Sequence, residues 1–454
     1  MGGMFERNIL SDLLKWKGKA GRKPLVLRGA RQVGKTSVVL EFGRRAFKNT
    51  IHLNLEKAEH RAAFSQTLST AQTLHYIEVL FNTQIVAGET LLFIDEIQIS
   101  GLAMAQLRYF YEDSPGLHVI AAGSLLEVKI DKEGFSFPVG RVEYLYLFPA
   151  TFDEFLGAIG ETESRKLVLS ATPKTEIPLH IHHLLMQKFL TYTIVGGMPE
   201  VVWTYTKTTS FAALSPVFES LLTGYSDDVY KYASLAKSKY LQHVIDASPN
   251  YAGQLITYER FGGSSYKSKD ISDAMDTLEK AMVLTRIRGS FSTRFPLTFN
   301  QKKPPKLIFL DTGMVCYRLG LTLAALEASN LDDVARGKLS EQVVGQELLT
   351  ISGSLRPSGI GYWYRHKAGA TAEVDFLIKI GEQLIPIEVK SGKAGKLKSL
   401  SIYAAESHTP CCVRIYSGPP QTQIEKTPDG HPYRLLSLPF YLVGRLAEYY
   451  HACL

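Results

Sequence analysis

One short stretch near the start of the chain constrains its fold more than any other. The apolar run Leu25–Arg28, which has the character of a buried strand, leads into Gly29-Ala-Arg-Gln-Val-Gly-Lys-Thr-Ser37, and a helix-like pattern begins at Val38. The spacing G-x-x-x-x-G-K-[ST] between a strand and a helix is typical of a phosphate-binding loop. The stretch therefore predicts an α/β domain that binds a nucleotide at the end of its first strand.

Each residue type in this loop has a physical reason. Glycines let the backbone curl so that its N–H groups point at a phosphate, and the helix N-terminus adds partial positive charge. Lys35 can reach the terminal phosphates, and the Thr36 hydroxyl can ligate Mg²⁺. The predicted cofactors are ATP and Mg²⁺. Adenine is the default base, because no N-K-x-D tetrapeptide supports guanine. The predicted nucleotide-binding residues of the loop are Gly29, Ala30, Arg31, Gln32, Val33, Gly34, Lys35, Thr36 and Ser37.

Two later apolar runs end in polar residues that we assign to the same site. The run Thr90–Gln98 contains the two carboxylates Asp95 and Glu96, and the run His118–Ser124 ends in Ser124. Continuous apolar runs are typical of parallel strands covered by helices on both faces, and their carboxyl ends meet at one edge of the sheet. At that edge Asp95 would help to hold Mg²⁺, and Ser124 would sense the γ-phosphate. Glu96 is the predicted catalytic base that orients the attacking water.

Composition limits the class of protein. The chain has 454 residues, 45% of them hydrophobic, and its net charge of +7 permits an acidic partner without requiring one. Its four cysteines show no metal-site spacing, which indicates reduced thiols. There is no apolar signal core and no run of ~18 apolar residues. We therefore expect a soluble, cytoplasmic protein with no membrane partner.

Further motifs are spread over nearly the whole chain. Together with the phosphate loop they are Phe93–Gln98, Ala122–Ser124, Pro138–Arg141, Leu147–Phe155, Gly196–Glu200 and Phe309–Gly313. This set resembles a prokaryotic family of AAA-like P-loop ATPases that carry a C-terminal nuclease-like domain of unsettled function. The resemblance implies that Arg141 senses or stabilises the γ-phosphate, either in its own subunit or in a neighbouring one.

The resemblance also implies a winged-helix module over residues 251–288. We expect a short helix at Gln254–Tyr258, a second helix at Lys269–Met282 and a strand at Val283–Arg288. The second helix carries more acids than cations, whereas a helix that reads duplex DNA needs cations for the phosphates. A packing or protein-contact role is therefore favoured over DNA readout.

A second group of charged residues lies in the C-terminal third. If Gly381-Glu382 is a two-residue hairpin turn, counting outward places Asp375 directly opposite Glu388. Lys390 shares their face, because side chains alternate along a strand. Two opposed carboxylates repel each other unless a divalent cation lies between them. Lys390 would then be the catalytic residue that polarises the attacking water or stabilises the transition state.

This arrangement resembles the D…E-x-K pattern of PD-(D/E)xK nucleases, and residues 335–415 are similar to that fold. The resemblance implies that Asp375 and Glu388 ligate a metal together with an acid on a preceding helix. That acid maps to Glu341, with Glu347 as the weaker alternative.

The sequence thus predicts three domains. Residues 1–160 form the AAA-like ATPase core, 161–300 a helical and winged-helix region, and 301–454 an α/β domain of the restriction-endonuclease type. The predicted function is ATP hydrolysis coupled to a nuclease-like domain that acts on nucleic acid, with a homo-oligomer or a protein partner both compatible. One alternative is a nucleotide-dependent switch or scaffold with an inactive nuclease fold. A P-loop kinase or transport ATPase is disfavoured.

Overall fold

The structure is a computed structural model that describes residues 5–65, 68–123, 138, 140–232, 235–328, 334–351, 359–366, 372–392 and 397–453. These residues form two compact units. The first comprises the described chain up to Phe148 together with Lys280–Met282, and the second comprises the remaining described residues.

The first unit is built on a five-stranded parallel sheet. Its strands are β1 (Leu25–Arg28), β2 (Asn49–Asn54), β3 (Thr90–Asp95), β4 (His118–Gly123) and β5 (Glu143–Tyr146). Its helices are α1 (Ile9–Gly18), α2 (Lys35–Ala46), α3 (Ala58–Arg61), α4 (Thr70–Phe81) and α5 (Gly101–Asp113). The strand order is β2-β3-β4-β1-β5, and every neighbouring pair is parallel. The predicted parallel α/β core is confirmed.

The burial of these strands follows from their sequences. Every residue of β3 and β4 is buried, so side chains on both faces of the sheet are covered. Helices on both sides are what a continuous apolar strand requires. The resulting core brings together residues of β2, β3 and β4 with α5, among them Leu53, Ile94, Val119 and Leu107. The sheet is therefore a rigid support for the loops at its carboxyl edge.

The second unit begins with helices and continues with a mixed sheet. Its helices are α6 (Phe152–Ala158), α7 (Thr162–Ser170), α8 (Leu179–Val195), α9 (Pro199–Thr208), α10 (Ser215–Tyr232), α11 (Leu235–Ala247), α12 (Ser268–Lys280), α13 (Thr312–Arg318), α14 (Leu323–Ala328), α15 (Val334–Leu348), α16 (Lys398–Ser407) and α17 (Leu446–Cys453). Its strands are β6 (Gln254–Leu255), β7 (Leu284–Ser290), β8 (Lys306–Phe309), β9 (Gly361–Tyr364), β10 (Glu373–Ile380), β11 (Gln383–Val389), β12 (Cys411–Tyr416), β13 (Gln421–Lys426) and β14 (Pro432–Pro439). They form one sheet in the order β13-β14-β12-β11-β10-β9-β7-β8-β6.

The hairpin of β10 and β11 has the register that the sequence predicts. The two strands are antiparallel, with Phe376 opposite Ile387 and Ile380 opposite Gln383. Gly381 has a φ of 59°, the left-handed conformation that the first residue of such a turn needs. A register fixed by a tight turn determines which side chains share a face. Asp375 and Glu388, one residue beyond the last paired positions, therefore come together.

The region expected to form a winged helix differs from the prediction in one element. Gln254–Tyr258 is not a helix, because Gln254 and Leu255 pair with β8 as the short strand β6. The predicted second helix and the strand after it are present as α12 and β7. Because β6, β7 and β8 belong to the same sheet as β9–β14, this sheet includes residues from both sides of position 300. The winged-helix assignment and the three-domain division stay predictions.

Acids on α12 pair with a buried cation. The Arg286 side chain is only 2% exposed and makes ion pairs with Asp276 and Glu279. Its guanidinium also donates a hydrogen bond to the hydroxyl of Tyr258 at 3.0 Å. These acids stabilise the packing of α12 on β7, which agrees with the packing role favoured for this helix.

None of the described helices is both long and apolar enough to cross a membrane.

Candidate functional site

The phosphate loop connects the end of β1 to the start of α2. Arg28 ends the strand, and Lys35, Thr36 and Ser37 form the first turn of the helix. Gly34 has a φ of 94°, which a residue with a side chain rarely adopts. A Cβ at Gly29 would lie 2.5 Å from the carbonyl oxygen of Leu147, so the close approach of these two chain segments requires glycine there.

Lys35 points into the loop that it follows. Its ammonium donates hydrogen bonds to the carbonyl oxygens of Gly29 at 3.0 Å and Ala30 at 2.8 Å. Burial lowers the pKa of Lys35 to about 8, although the nearby carboxylates of Glu96 and Asp95 act to raise it. A buried ammonium whose pKa is lowered in this way would gain most from an anionic phosphate beside it.

The carboxylate of Asp95 meets the loop at its helical end. The Thr36 hydroxyl donates to Oδ2 of Asp95 at 2.7 Å, and Nε2 of His52 lies 3.3 Å from the same oxygen. The His52 ring stacks on Phe93, with their centroids 4.8 Å apart. Sequence reasoning missed His52. The signal was the alternation of β2, which sets His52 beside Phe93 in the parallel register.

Glu96 follows β3 in a strained conformation. Its φ of 53° is in the left-handed region, which is uncommon for a residue with a side chain. The Gln98 amide donates to the Glu96 carboxylate, and the Glu96 backbone N–H donates to Asp95 Oδ1 at 3.1 Å. Strained residues of this kind cluster at functional sites because the surrounding structure must hold them.

Arg141 is not brought together with the phosphate loop. It precedes β5, whose first residue Glu143 pairs with Leu25 at the start of β1, whereas the loop follows the end of β1. Its guanidinium pairs with Glu112 at 2.8 Å. Arg141 therefore lies at the opposite edge of the sheet from the loop of its own subunit. Ser124, the other predicted γ-phosphate sensor, lies outside the described residues.

Arg7 supports the loop from the N-terminal segment. This side chain is buried, and its guanidinium donates to the carbonyl oxygens of Val33 at 3.2 Å and Phe148 at 2.6 Å. Val33 lies in the middle of the loop, and Phe148 follows β5. No sequence pattern pointed to Arg7, because its two partners lie 26 and 141 residues away along the chain.

The second group of charged residues lies where β10 and β11 face α15. Oδ2 of Asp375 accepts a hydrogen bond from the Val389 N–H at 2.8 Å, and the Lys390 ammonium is 2.7 Å from Glu388 Oε1. Burial and then the charge of Asp375 raise the pKa of Glu388 to about 8. The same two causes raise the pKa of Glu341, on α15, to about 7. We call Glu341, Asp375 and Glu388 the carboxylate cluster.

Lys306 contacts the carboxylate cluster, and the sequence did not reveal it. Its side chain is 2% exposed, and its ammonium pairs with Glu341 at 2.5 Å and with Asp375 at 3.4 Å. Burial lowers the pKa of Lys306, but the two carboxylates outweigh burial and hold it above its usual value. Lys306 is the first residue of β8, 35 positions before Glu341 and 69 before Asp375, so no local pattern joins them.

The carboxylate cluster does not form a ready metal site. Among the described residues, no group of three or more His, Cys, Asp or Glu side chains lies together in a way that could hold a metal ion. The Lys306 ammonium provides positive charge beside Glu341 and Asp375. Oε2 of Glu388 is buried without a hydrogen-bond partner, which leaves the cluster one unsatisfied acceptor. The metal-ligand roles of Glu341, Asp375 and Glu388 stay predictions.

Glu347, the weaker alternative to Glu341, has different surroundings. Its Oε1 accepts hydrogen bonds from the Tyr192 hydroxyl at 2.8 Å and the Phe152 N–H at 3.0 Å. Burial raises the pKa of Glu347 to about 8. This buried network ties α15 to α6 and α8, so of the two acids only Glu341 contacts the group around Asp375.

Family models match most of the chain, but only the model over the first unit names a class of protein. Residues 21–156 match the family model of an AAA domain, residues 186–325 a domain of unknown function (DUF8612), and residues 336–435 another (DUF4143). The first unit is therefore an AAA-type domain with a P-loop. A search of curated proteins found no match.

Several solved structures are distantly similar to this chain. The Thermotoga maritima RuvB Holliday junction branch migration motor matches at 16% identity and a TM-score of 0.29, covering 66% of this chain and 93% of its own. The Aeropyrum pernix ORC2 protein matches at 11% identity and a TM-score of 0.36, covering 70% and 92%. The ORC1 protein of the same organism, in complex with DNA, matches at 13% and 0.30, covering 70% and 93%.

Proposed function

We propose that the AAA-type domain binds ATP with Mg²⁺ and hydrolyses it. The observation that carries the proposal is the 2.7 Å hydrogen bond from the Thr36 hydroxyl to Asp95, beside the buried Lys35. A hydroxyl and a carboxylate are the oxygen donors that Mg²⁺ prefers, so Thr36 and Asp95 fit as the residues that would hold it. When bound, Mg²⁺ neutralises charge on the phosphates.

The residues of this chain have distinct roles in that reaction. Lys35 binds the terminal phosphates, and the N–H groups of the loop and of the first turn of α2 bind phosphate oxygens. Glu96, oriented by Gln98, accepts a hydrogen bond from the attacking water. Arg7 keeps the loop in place through Val33. Arg141 senses or stabilises the γ-phosphate of a nucleotide in a neighbouring subunit, not in its own.

Steady-state ATP hydrolysis tests this proposal. We expect Lys35→Ala to abolish hydrolysis and to weaken binding of a fluorescent ATP analogue. Lys15→Ala removes a lysine whose side chain is 76% exposed on α1, and it should leave both unchanged. Hydrolysis by Lys35→Ala at the wild-type rate contradicts the proposal.

We further propose that the second unit acts on nucleic acid through the carboxylate cluster. The confirmed register of β10 and β11 supports this, because it brings Asp375, Glu388 and Lys390 to one place beside Glu341. The test is a cleavage assay on single- and double-stranded DNA, with and without Mg²⁺ or Mn²⁺. It compares the cleavage rate of wild type with those of Asp375→Ala and Lys390→Ala. Glu163→Ala, whose side chain is 85% exposed on α7, is the control. Equal cutting by all four proteins refutes a nuclease role.

The pairing of Lys306 with Glu341 and Asp375 favours one alternative, a nucleotide-dependent switch with an inactive nuclease fold. In that case ATP hydrolysis should be unaffected by added nucleic acid. The oligomeric state, measured by light scattering with ATP and with ADP, should then follow the nucleotide. Stimulation of the ATPase by nucleic acid, with an unchanged oligomeric state, excludes the switch.

A further inference from the structure

The connection between β7 and β8 has an unusual charge composition. Residues 280–310 contain no aspartate or glutamate. At the chain's average of 44 acids in 454 residues, a stretch of this length would carry about three. Its cations are Lys280, Arg286, Arg288, Arg294, Lys302, Lys303 and Lys306. Arg286 and Lys306 are buried in the ion pairs described above, whereas Arg294, Lys302 and Lys303 are exposed. We call residues 288–303 the basic segment.

The basic segment also presents aromatic rings to solvent. In the described part of the chain, the two phenylalanines that are more than a third exposed are Phe291 (44%) and Phe295 (38%). Exposed apolar side chains that are grouped on one surface can mark a binding site, whereas scattered single ones do not. Phe291 lies 5.2 Å from the His366 ring, which extends the aromatic surface onto the residues after β9.

Local hydrogen bonds hold the segment in shape. The Ser290 hydroxyl donates to the Thr298 carbonyl oxygen at 2.9 Å, and the Thr298 N–H donates to the Ser292 hydroxyl at 3.0 Å. The Asn300 N–H donates to the Gly289 carbonyl oxygen at 2.9 Å. The exposed rings are thus displayed on an ordered turn, which reduces the entropy lost when a ligand binds.

Cations lie directly beside two aromatic rings here, the exposed Phe295 and the buried Tyr364. The Lys379 ammonium is 4.3 Å from the centre of the Phe295 ring, and the Lys303 ammonium is 4.5 Å from that of Tyr364. A single nucleic-acid strand needs both features, since its bases stack on aromatic rings while its phosphates pair with Lys and Arg. The cations on this surface favour a polyanionic ligand, and the exposed aromatic rings favour one with flat bases that can stack on them.

The surface leads to the carboxylate cluster. Lys303 lies close enough to Glu373 for its charge to act on that carboxyl, and Lys306, three residues on, contacts Glu341 and Asp375. We propose that the basic segment, together with Lys379, binds single-stranded nucleic acid and leads it towards the carboxylate cluster. The inference rests on the proposed action on nucleic acid, to which it adds the substrate class and the binding surface.

Fluorescence anisotropy of a labelled oligo-dT, measured on the full chain without nucleotide, tests the surface. Phe291→Ala/Phe295→Ala should weaken binding at least ~10-fold, because each stacked base contributes ~1–3 kcal/mol. Arg294→Ala/Lys302→Ala/Lys303→Ala should also weaken binding. Only this second variant should flatten the dependence of log Kd on log salt, by about 2 if three phosphate contacts are lost.

Matched controls come from elsewhere in the same unit. Ile424→Ala removes a side chain that is 75% exposed on β13, and Lys174→Ala removes an exposed cation. Both should bind like wild type, and a duplex of the same length should bind more weakly than oligo-dT. Absence of binding by the wild type at low salt, equal binding by all variants, or tighter binding of the duplex overturns the proposal. Because no ATP or cleavage is involved, failure here is distinct from failure of the ATPase or nuclease proposals.

Discussion

Replacing Lys306 with methionine is the sharpest test of how the carboxylate cluster is stabilised. Methionine retains most of the length and the apolar stem that packs near the Phe376 ring, but it removes the charge. Glu341 and Asp375 would then lose the cation that pairs with both of them. Their side chains are only 23% and 18% exposed, so water can replace the lost partner only in part.

The expected loss follows from that burial. Removing one partner of a buried ion pair typically costs ~3–5 kcal/mol, because the remaining charge stays buried and unpaired. We expect Lys306→Met to lower the free energy of unfolding of the second unit by about 3 kcal/mol or more. Lys306→Met/Glu341→Gln should recover at least ~1 kcal/mol of this loss, since it removes one uncompensated carboxylate.

Urea unfolding followed by tryptophan fluorescence measures this difference. The chain has three tryptophans, and a Trp16→Phe/Trp203→Phe background leaves Trp363, which is buried in the second unit. Lys303→Met, a change at an exposed lysine, should stay within ~0.5 kcal/mol of the background protein. A loss for Lys306→Met no larger than that of Lys303→Met, or a double variant no more stable than the single one, refutes the reasoning.

Three further predictions concern single positions. Glu96→Gln should retain ATP binding but slow hydrolysis ~10²–10⁴-fold, measured by steady-state turnover and nucleotide titration. Burial raises the pKa of Glu347 to about 8, so the folded protein keeps a proton that the unfolded chain releases near pH ~4.3. The contribution of the Glu347 carboxyl to stability should therefore fall as pH rises from ~4.3 to ~8. In thermal unfolding between pH 5 and 8, the melting temperature of Glu347→Gln should fall less steeply with pH than that of wild type. Parallel curves contradict this. Gly29→Ala would place a Cβ 2.5 Å from the Leu147 carbonyl oxygen and should weaken nucleotide binding, whereas Gly18→Ala, which meets nothing within 4 Å, should not.

The AAA-type core could be predicted from sequence because its signals are local. The phosphate loop is one continuous motif, and the buried strands β3 and β4 are continuous apolar runs. Contacts that join distant segments left no such signal. Arg7 reaches Val33 and Phe148 across the fold, and His52 reaches Asp95 only because β2 and β3 are adjacent. The placement of Arg141 likewise depends on the direction of β5 in the sheet, which no single motif reports.

The hairpin of β10 and β11 could be predicted to the residue because a two-residue turn fixes every pair that follows it. Gln254–Tyr258 was wrong because its partner, β8, lies ~50 residues later, and short segments adopt the conformation of their tertiary partners. The two outcomes differ because of the distance along the chain over which each structure is determined. Turn chemistry acts within a few residues, whereas strand addition to a sheet depends on a segment that the local sequence does not contain.

One cation that pairs with the carboxylate cluster comes from outside the hairpin of β10 and β11. Opposed carboxylates repel each other unless a cation lies beside them, and the hairpin itself supplies Lys390, which pairs with Glu388. The fold adds Lys306 from β8, which pairs with Glu341 and Asp375 and which the hairpin alone does not reveal. The metal-ligand roles of these acids stay predictions, and a metal bound by Glu341 and Asp375 would compete with the Lys306 ammonium for both carboxylates. Divalent-metal binding that is stronger in Lys306→Met than in wild type would therefore identify Lys306 as the group that excludes the metal, and equal binding would show that it does not.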